Sequence, residues 1–232
     1  LRVCGQLADQ VSKIVSKGNF PLILGGDQSV SIGTLTGLAS KGDKRGIIWM
    51  DAHGDFNTDE TTPSGSIHGM ALAAILGYGH PKLAKFRKII PKASEKNSVL
   101  IAGRSFDDEE AKRLGRSKVT VFTMKDVDEV GMRRVMQEGI QIASKGVREV
   151  HLSFDIDALD PREAPGTGTP VSGGLTYREA QLAMEILYDS GVITSAEFVE
   201  VNPILDEANR TAELSVQLML SLLGKQILKT RK

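Results

Sequence analysis

Short apolar runs recur along this chain at 20–24, 46–50, 98–102, 119–123, 149–154 and 194–199, with helical patterns between them at 31–39, 107–114, 131–144 and 177–190. Two more amphipathic patterns flank the series. At 6–16, Leu7, Val11, Ile14 and Val15 keep a 3.6-residue period before Gly18-Asn19 stops it, and 213–223 reads as a closing helix. Strands apolar on both faces must be covered on both faces. The alternation therefore predicts an α/β fold, a three-layer αβα arrangement around a mainly parallel sheet. No Ser/Gly/Pro linker, charge block or internal repeat interrupts the 232 residues, so a single domain over 1–232 is expected.

Nearly every apolar run ends in turn or polar residues, and four of these ends carry acidic groups. Asp27 follows the first, Asp51 the second, Asp155 the fifth and Glu200 the last. In open parallel sheets ligands bind beyond the carboxyl ends of the strands, so these loops can converge. Asp51, His53 and Asp55 are spaced by two, as are Asp155 and Asp157. On an extended strand that spacing sends side chains to one face. A set rich in carboxylate oxygen with an imidazole added suits a pair of hard or borderline divalent ions. The pattern points to a binuclear metal hydrolase.

Composition narrows the partners. Lys+Arg and Asp+Glu are each 29, a formal net charge of zero, so neither nucleic acid nor an anionic membrane surface is indicated. Cys4 is the single cysteine, and no signal-like segment or run of eighteen apolar residues is present. A small-molecule enzyme of the cytoplasm is the expectation.

Longer motifs extend these clusters: Gly25-Gly26-Asp27-Gln28-Ser29, Asp51-Ala52-His53-Gly54-Asp55, Ser66-Ile67-His68-Gly69, Ser153-Phe154-Asp155-Ile156-Asp157-Ala158-Leu159-Asp160-Pro161 and Glu197-Phe198-Val199-Glu200-Val201-Asn202-Pro203. In this order they resemble the ureohydrolase family, the arginases and agmatinases, and most closely the bacterial arginases. The resemblance implies an arginase-like fold with two manganese ions, hydrolysing L-arginine to L-ornithine and urea by a metal-bridging hydroxide. It implies Asp51 and Asp155 as bridging carboxylates, Asp55 on one ion, and His53 with Asp157 on the other. Glu200 matches the carboxylate that pairs with the substrate guanidinium, and His68 the histidine that carries a proton to the leaving amine. Asn57, Thr62 and Ser64 match the segment that holds the substrate α-carboxylate, and Asp107 the group facing its α-ammonium. Glu110 and Thr169 complete the expected substrate contacts, and Asp55 is counted with His68 and Glu200 among the catalytic residues.

Two departures from the family pattern stand out. Gln28 occupies the position of a ligand histidine on the ion that Asp55 holds. An amide oxygen can coordinate, yet it is neutral and a poorer donor than imidazole, so one metal site is expected to be weakened. The family also has an N-terminal stretch that adds a strand to the sheet, and 1–232 reads as truncated relative to it. Alternative readings are an agmatinase or other guanidino-acid hydrolase, and a metal- and arginine-binding homologue impaired in catalysis by Gln28. The resemblance also implies a homo-oligomer, a trimer or hexamer.

Overall fold

The computed structural model describes residues 1–42 and 45–228. The chain opens with helix α1 (Arg2–Ser16), strand β1 (Leu22–Leu24), helix α2 (Val30–Leu38) and strand β2 (Arg45–Met50). Short helices α3 (Ala71–Leu76) and α4 (Pro81–Ala84) precede β3 (Ser98–Gly103), followed by α5 (Asp108–Arg116) and β4 (Thr120–Thr123). The second half runs α6 (Met124–Val130), α7 (Met132–Ala143), β5 (Glu149–Asp155), α8 (Tyr177–Ser190), β6 (Ile193–Val199) and α9 (Arg210–Leu222).

All strand pairs are parallel, in the order β1-β6-β5-β2-β3-β4. β2, β3 and most of β5 are buried on both faces, as expected for strands sandwiched between helices. On one face, Ile48, Met50, Leu152, Phe154 and Phe198 pack with the apolar sides of α7, α8 and α9. On the other, Ile47, Trp49 and Leu100 meet α1, α2 and α3. The three-layer αβα arrangement read from the sequence is the observed one, and the sheet is parallel throughout its described strands.

The packing of α1 on α2 is unusually close. A Cβ added at Gly33 would lie 2.7 Å from the Cys4 carbonyl oxygen, and one at Gly37 2.6 Å from that of Ala8. Glycine is needed there to let the two helices touch backbone to backbone. This holds α2, and the Gln28 loop before it, against the sheet.

The helix expected at 6–16 starts earlier, at Arg2. Helices α3, α4 and α6 have no counterpart in the sequence pattern. α3 is apolar on every side and so has no helical period to read, while α6 is a short helix of about two turns set by a Thr123/Asp126 capping box.

Candidate metal centre

Strand order explains the site. β1, β6, β5 and β2 are consecutive neighbours, and their carboxyl ends lead into Gln28, Glu200, Asp155 and Asp51 respectively. Residues far apart in sequence therefore meet at one edge of the sheet.

Asp51, His53 and Asp157 each offer a ligand atom, and these atoms lie within 4.8 Å of one another. His53 Nδ1 is 3.1 Å from Asp157 Oδ2 and 3.5 Å from Asp51 Oδ1. The carboxylates are steered from behind. Trp49 Nε1 donates to Asp51 Oδ2 at 3.0 Å, the His53 amide to Asp51 Oδ1 at 2.6 Å, and the Asp157 amide to Asp155 Oδ1 at 2.8 Å. Asp157 takes the Ala52 amide at 3.2 Å and the Thr169 hydroxyl at 3.1 Å, so Thr169 touches a candidate ligand directly.

Asp55 is buried in the same loop, and its Oδ2 has no hydrogen-bond partner. Its φ is 49°, and Glu200 likewise sits at 63°. Left-handed backbone costs an ordinary residue about 1–2 kcal/mol. Both carboxylates are aimed by strained backbone, a pattern that concentrates at functional sites. Gly54 precedes Asp55 because a Cβ there would lie 2.7 Å from the Glu110 carboxylate.

The electrostatics are those of a centre built for positive charge. Burial, then repulsion from Asp157, pushes Asp51 up from 3.8 to about 7. Burial, with Asp51 next, raises Asp55 well above the usual carboxylate range, and burial with Asp157 does the same for Asp155. Burial works against a charged His53, yet hydrogen bonds to Asp157 and Asp51 outweigh it and lift the imidazole from 6.5 to about 11. Burial likewise opposes the Asp157 anion, but His53 holds it below its ordinary value. Four buried carboxylates share one imidazole. Bound protons or further cations must offset that excess.

Glu200, the residue directly after β6, accepts the Gln28 backbone amide on Oε1 at 2.7 Å, and His68 Nδ1 is 3.5 Å from the same oxygen. Burial raises its pKa. Asn57 Nδ2 donates to Asp107 Oδ2 at 2.8 Å, which brings two of the expected substrate contacts together. Thr62 and Ser64 lie in the loop between β2 and α3, with their hydroxyls 3.4 Å apart. Glu110 is buried, and both its oxygens are engaged by backbone: Oε1 takes the Phe56 amide at 2.8 Å and Oε2 that of Asp107 at 3.2 Å. That engagement shapes the loop carrying Asp55.

Gln28 is 1 % exposed. Its Nε2 donates to Ser31 Oγ at 2.7 Å and to Ser153 Oγ at 2.9 Å, while Oε1 is buried without a partner. Two unpartnered oxygens, Gln28 Oε1 and Asp55 Oδ2, thus accompany the Asp51-His53-Asp157 cluster. Oxygen donors with one imidazole, buried and under-satisfied, fit divalent ions of the manganese type.

Sequence reasoning missed several supporting groups. Arg104 donates to the carbonyls of Ala102, Asp157, Ala158, Leu159 and Val171, clamping the Asp157 loop to the end of β3. His151, Ser153 and Glu197 line the buried face below the site. Their signal was present: His151, Ser153 and Asp155 place a polar residue at every second position of a buried strand.

The arginase family model matches residues 1–224. Arginases of Bacillus caldovelox and Bacillus subtilis are 54% and 53% identical over 223 residues, covering 96% of this chain and 75% of theirs. The chain belongs to the arginase family. It is accordingly a hydrolase of that family. The native structure of the Bacillus caldovelox arginase superimposes with a TM-score of 0.94 at 54% identity, covering 97% of this chain and 75% of that one. An Entamoeba histolytica arginase in complex with L-ornithine gives 0.89 at 34% identity, over 96% and 75% of the two chains. A hypothetical agmatinase from Burkholderia thailandensis gives 0.76 at 29%, over 94% and 62%.

Proposed function

We propose that this member of the arginase family hydrolyses L-arginine to L-ornithine and urea with two manganese ions held at the strand ends. The observation that carries the reading is the convergence of Asp51, His53 and Asp157 beside an underpartnered Asp55 and the Glu200 carboxylate. Asp51 and Asp155 would serve both ions, Asp55 and Gln28 one of them, and His53 and Asp157 the other. Such a pair of ions, when bound, lowers the pKa of water toward neutrality and supplies positive charge where negative charge develops.

This chain's own residues do the rest. Guanidinium keeps its proton at any working pH, so a carboxylate is its natural receptor, and Glu200 at the site's rim provides one. His68, against Glu200, carries a proton to the departing amine nitrogen. Asn57, Thr62, Ser64 and Thr169 are assigned to the substrate carboxylate, with Asp107 and Glu110 on the ammonium side. Agmatine lacks that carboxylate and would leave donors unpaired, at about 1–3 kcal/mol per buried group. The relatives at 50–54% identity are named arginases, which supports the same choice.

Gln28 favours a second, narrower reading within this one: a working but manganese-hungry enzyme, with one tight ion per chain and the other filled at higher concentration. Urea release from arginine and from agmatine, followed across a manganese titration for the native chain and the Gln28→His protein, tests both. Arginine turnover that rises with manganese, and sooner in Gln28→His, is expected. Preference for agmatine would make it an agmatinase. No urea from either substrate in Gln28→His at saturating manganese would overturn the assignment, leaving a binding homologue.

The chain is read as one catalytic domain around one sheet. Among the described residues no helix is long and apolar enough to cross a membrane. A cytoplasmic trimer or hexamer is proposed. On α9, Leu214, Leu218 and Leu222 are buried in the core, while Val216 and Leu220, with Leu223 just after the helix, stay exposed and are available to a second copy. Light scattering of the purified protein checks this.

A further inference from the structure

A seam of polar side chains runs between α2 and the sheet, below the metal ligands and buried from water. On β5, His151 and Ser153 face the same side as Asp155; on β6, Ser195 and Glu197 sit opposite them in register. Ser31 and Thr34 project from α2 into the same layer and are fully buried. A structural packing layer would be apolar here, as its neighbours Ile23, Leu35, Ile47 and Trp49 are. Polar groups in such a place cost stability unless they are mutually satisfied.

The seam has a direction. Burial opposes the charge on Glu197, but His151, aided by the Ser31 and Thr34 hydroxyls, holds its carboxyl below the usual range. An ionised carboxylate only accepts. Ser153 Oγ therefore gives its single proton to Glu197 Oε1, at 2.9 Å, and is left as an acceptor. The Gln28 amide lies 2.9 Å from that oxygen and 2.7 Å from Ser31 Oγ. An amide has one donating and one accepting end, nearly equal in shape. With Ser153 able only to accept, the NH2 end must face it.

We propose that Ser153 and Ser31, set by the Glu197-His151 pair, are positioning residues that lock the Gln28 amide with its NH2 end on the seam and its oxygen as the end offered to a divalent ion. This rests on the reading of Gln28 as a ligand, and it supplies what that reading lacks. A free glutamine would present its NH2 end, which cannot coordinate, as readily as its oxygen. The buried and unpartnered Oε1 is the outcome of the lock. Carboxylate-backed orientation of a metal ligand is a general device, and removing it typically weakens metal binding roughly 10 to 100-fold.

Manganese binding, counted from the spectroscopic signal of free Mn2+ during titration of the full chain, reads this without turnover. In the native chain two binding phases are expected. Gln28→Leu removes the weaker phase. Ser153→Ala and, independently, Ser31→Ala weaken that phase by roughly 10 to 100-fold and leave the tighter one unchanged. Ser153→Thr, which keeps the hydroxyl, restores it, and Ser153→Ala has no further effect in a Gln28→Leu background. If both alanine variants bind like the native chain while Gln28→Leu loses an ion, the lock is overturned and the ligand survives. If Gln28→Leu also binds two ions as the native chain does, the ligand assignment falls and the lock with it.

Discussion

Asn57 Nδ2 donates to Asp107 Oδ2 at 2.8 Å, joining the loop after β2 to the start of α5 across 50 positions of sequence. The contact holds an amide and a carboxylate side by side, the two groups that the proposed reading assigns to the α-carboxylate and α-ammonium of the substrate.

Replacing Asn57 should separate substrates. A hydrogen bond to a charged group contributes about 1.5–3 kcal/mol, roughly 10 to 100-fold in affinity. Asn57→Ala is expected to raise KM for arginine by that factor with kcat little changed, and to leave agmatine kinetics nearly as they were. Equal losses for the two substrates in steady-state assays would remove Asn57 from carboxylate recognition.

Glu200→Gln keeps the shape and the hydrogen bond to the Gln28 amide but loses the negative charge. Truncating one partner of a buried charge pair typically costs about 2–5 kcal/mol, so kcat/KM for arginine should fall at least roughly 30-fold. Manganese binding should persist. A variant with native kcat/KM would show that the guanidinium is received elsewhere.

His68→Asn should act on the rate alone. Positioned proton transfer is worth roughly 10² to 10⁴-fold, and kcat is expected to fall within that range while KM holds. A native kcat in steady-state assays would mean that His68 carries no proton.

Without metal, stability should fall as pH rises. Asp51 holds its proton to about 7 instead of 3.8, and His53 to about 11 instead of 6.5. In both, the folded state binds the proton more tightly than the unfolded chain. Their contribution is thus complete below the unfolded values and is lost between 3.8 and about 7 for Asp51 and between 6.5 and about 11 for His53. The lowered Asp157 acts only below 3.8, outside that window. Metal reverses the sign, because ligation requires deprotonated groups. Melting of chelator-treated protein should drop from about pH 5 to about pH 8, while manganese-saturated protein gains over the same interval. A chelated protein whose Tm climbs across it contradicts this account.

Gly33→Ala tests the α1–α2 approach. Its Cβ would meet the Cys4 backbone at 2.7–2.8 Å, and overpacking of this kind costs about 1–3 kcal/mol. Denaturant titration should show the loss. A neutral result would mean that α1 can retreat freely.

How much of this was legible beforehand depended on whether a feature was local. The strands could be read because burial on both faces leaves an uninterrupted apolar run, and the ligands because they cluster just past two strand ends, although the chain there is loop and 3-10 turn rather than the extended strand that the two-residue spacing assumed. Asp51, His53 and Asp157 were visible for that reason. The start of α1 was hidden because the residues it buries early, Cys4 and Ala8, are small and chosen for close approach. Arg104 was opaque because its carbonyl partners come from two separate loops and exist only in the folded chain. Glu197 and His151 were submerged in runs scored as apolar, although their alternate spacing marked one polar face.

The neighbour of β1 in the sheet is β6, so the Gln28 backbone N–H and the Glu200 carboxylate meet across 172 positions of sequence. A polypeptide still emerging from the ribosome would hold Asp51, His53 and Asp155 long before Glu200 had been synthesised. Pairings this distant form late, once their closure entropy has been overcome. The Gln28 loop is therefore anchored to Glu200 only after synthesis has passed position 200, and on the proposed reading chains clipped before it should bind manganese less tightly than the full chain.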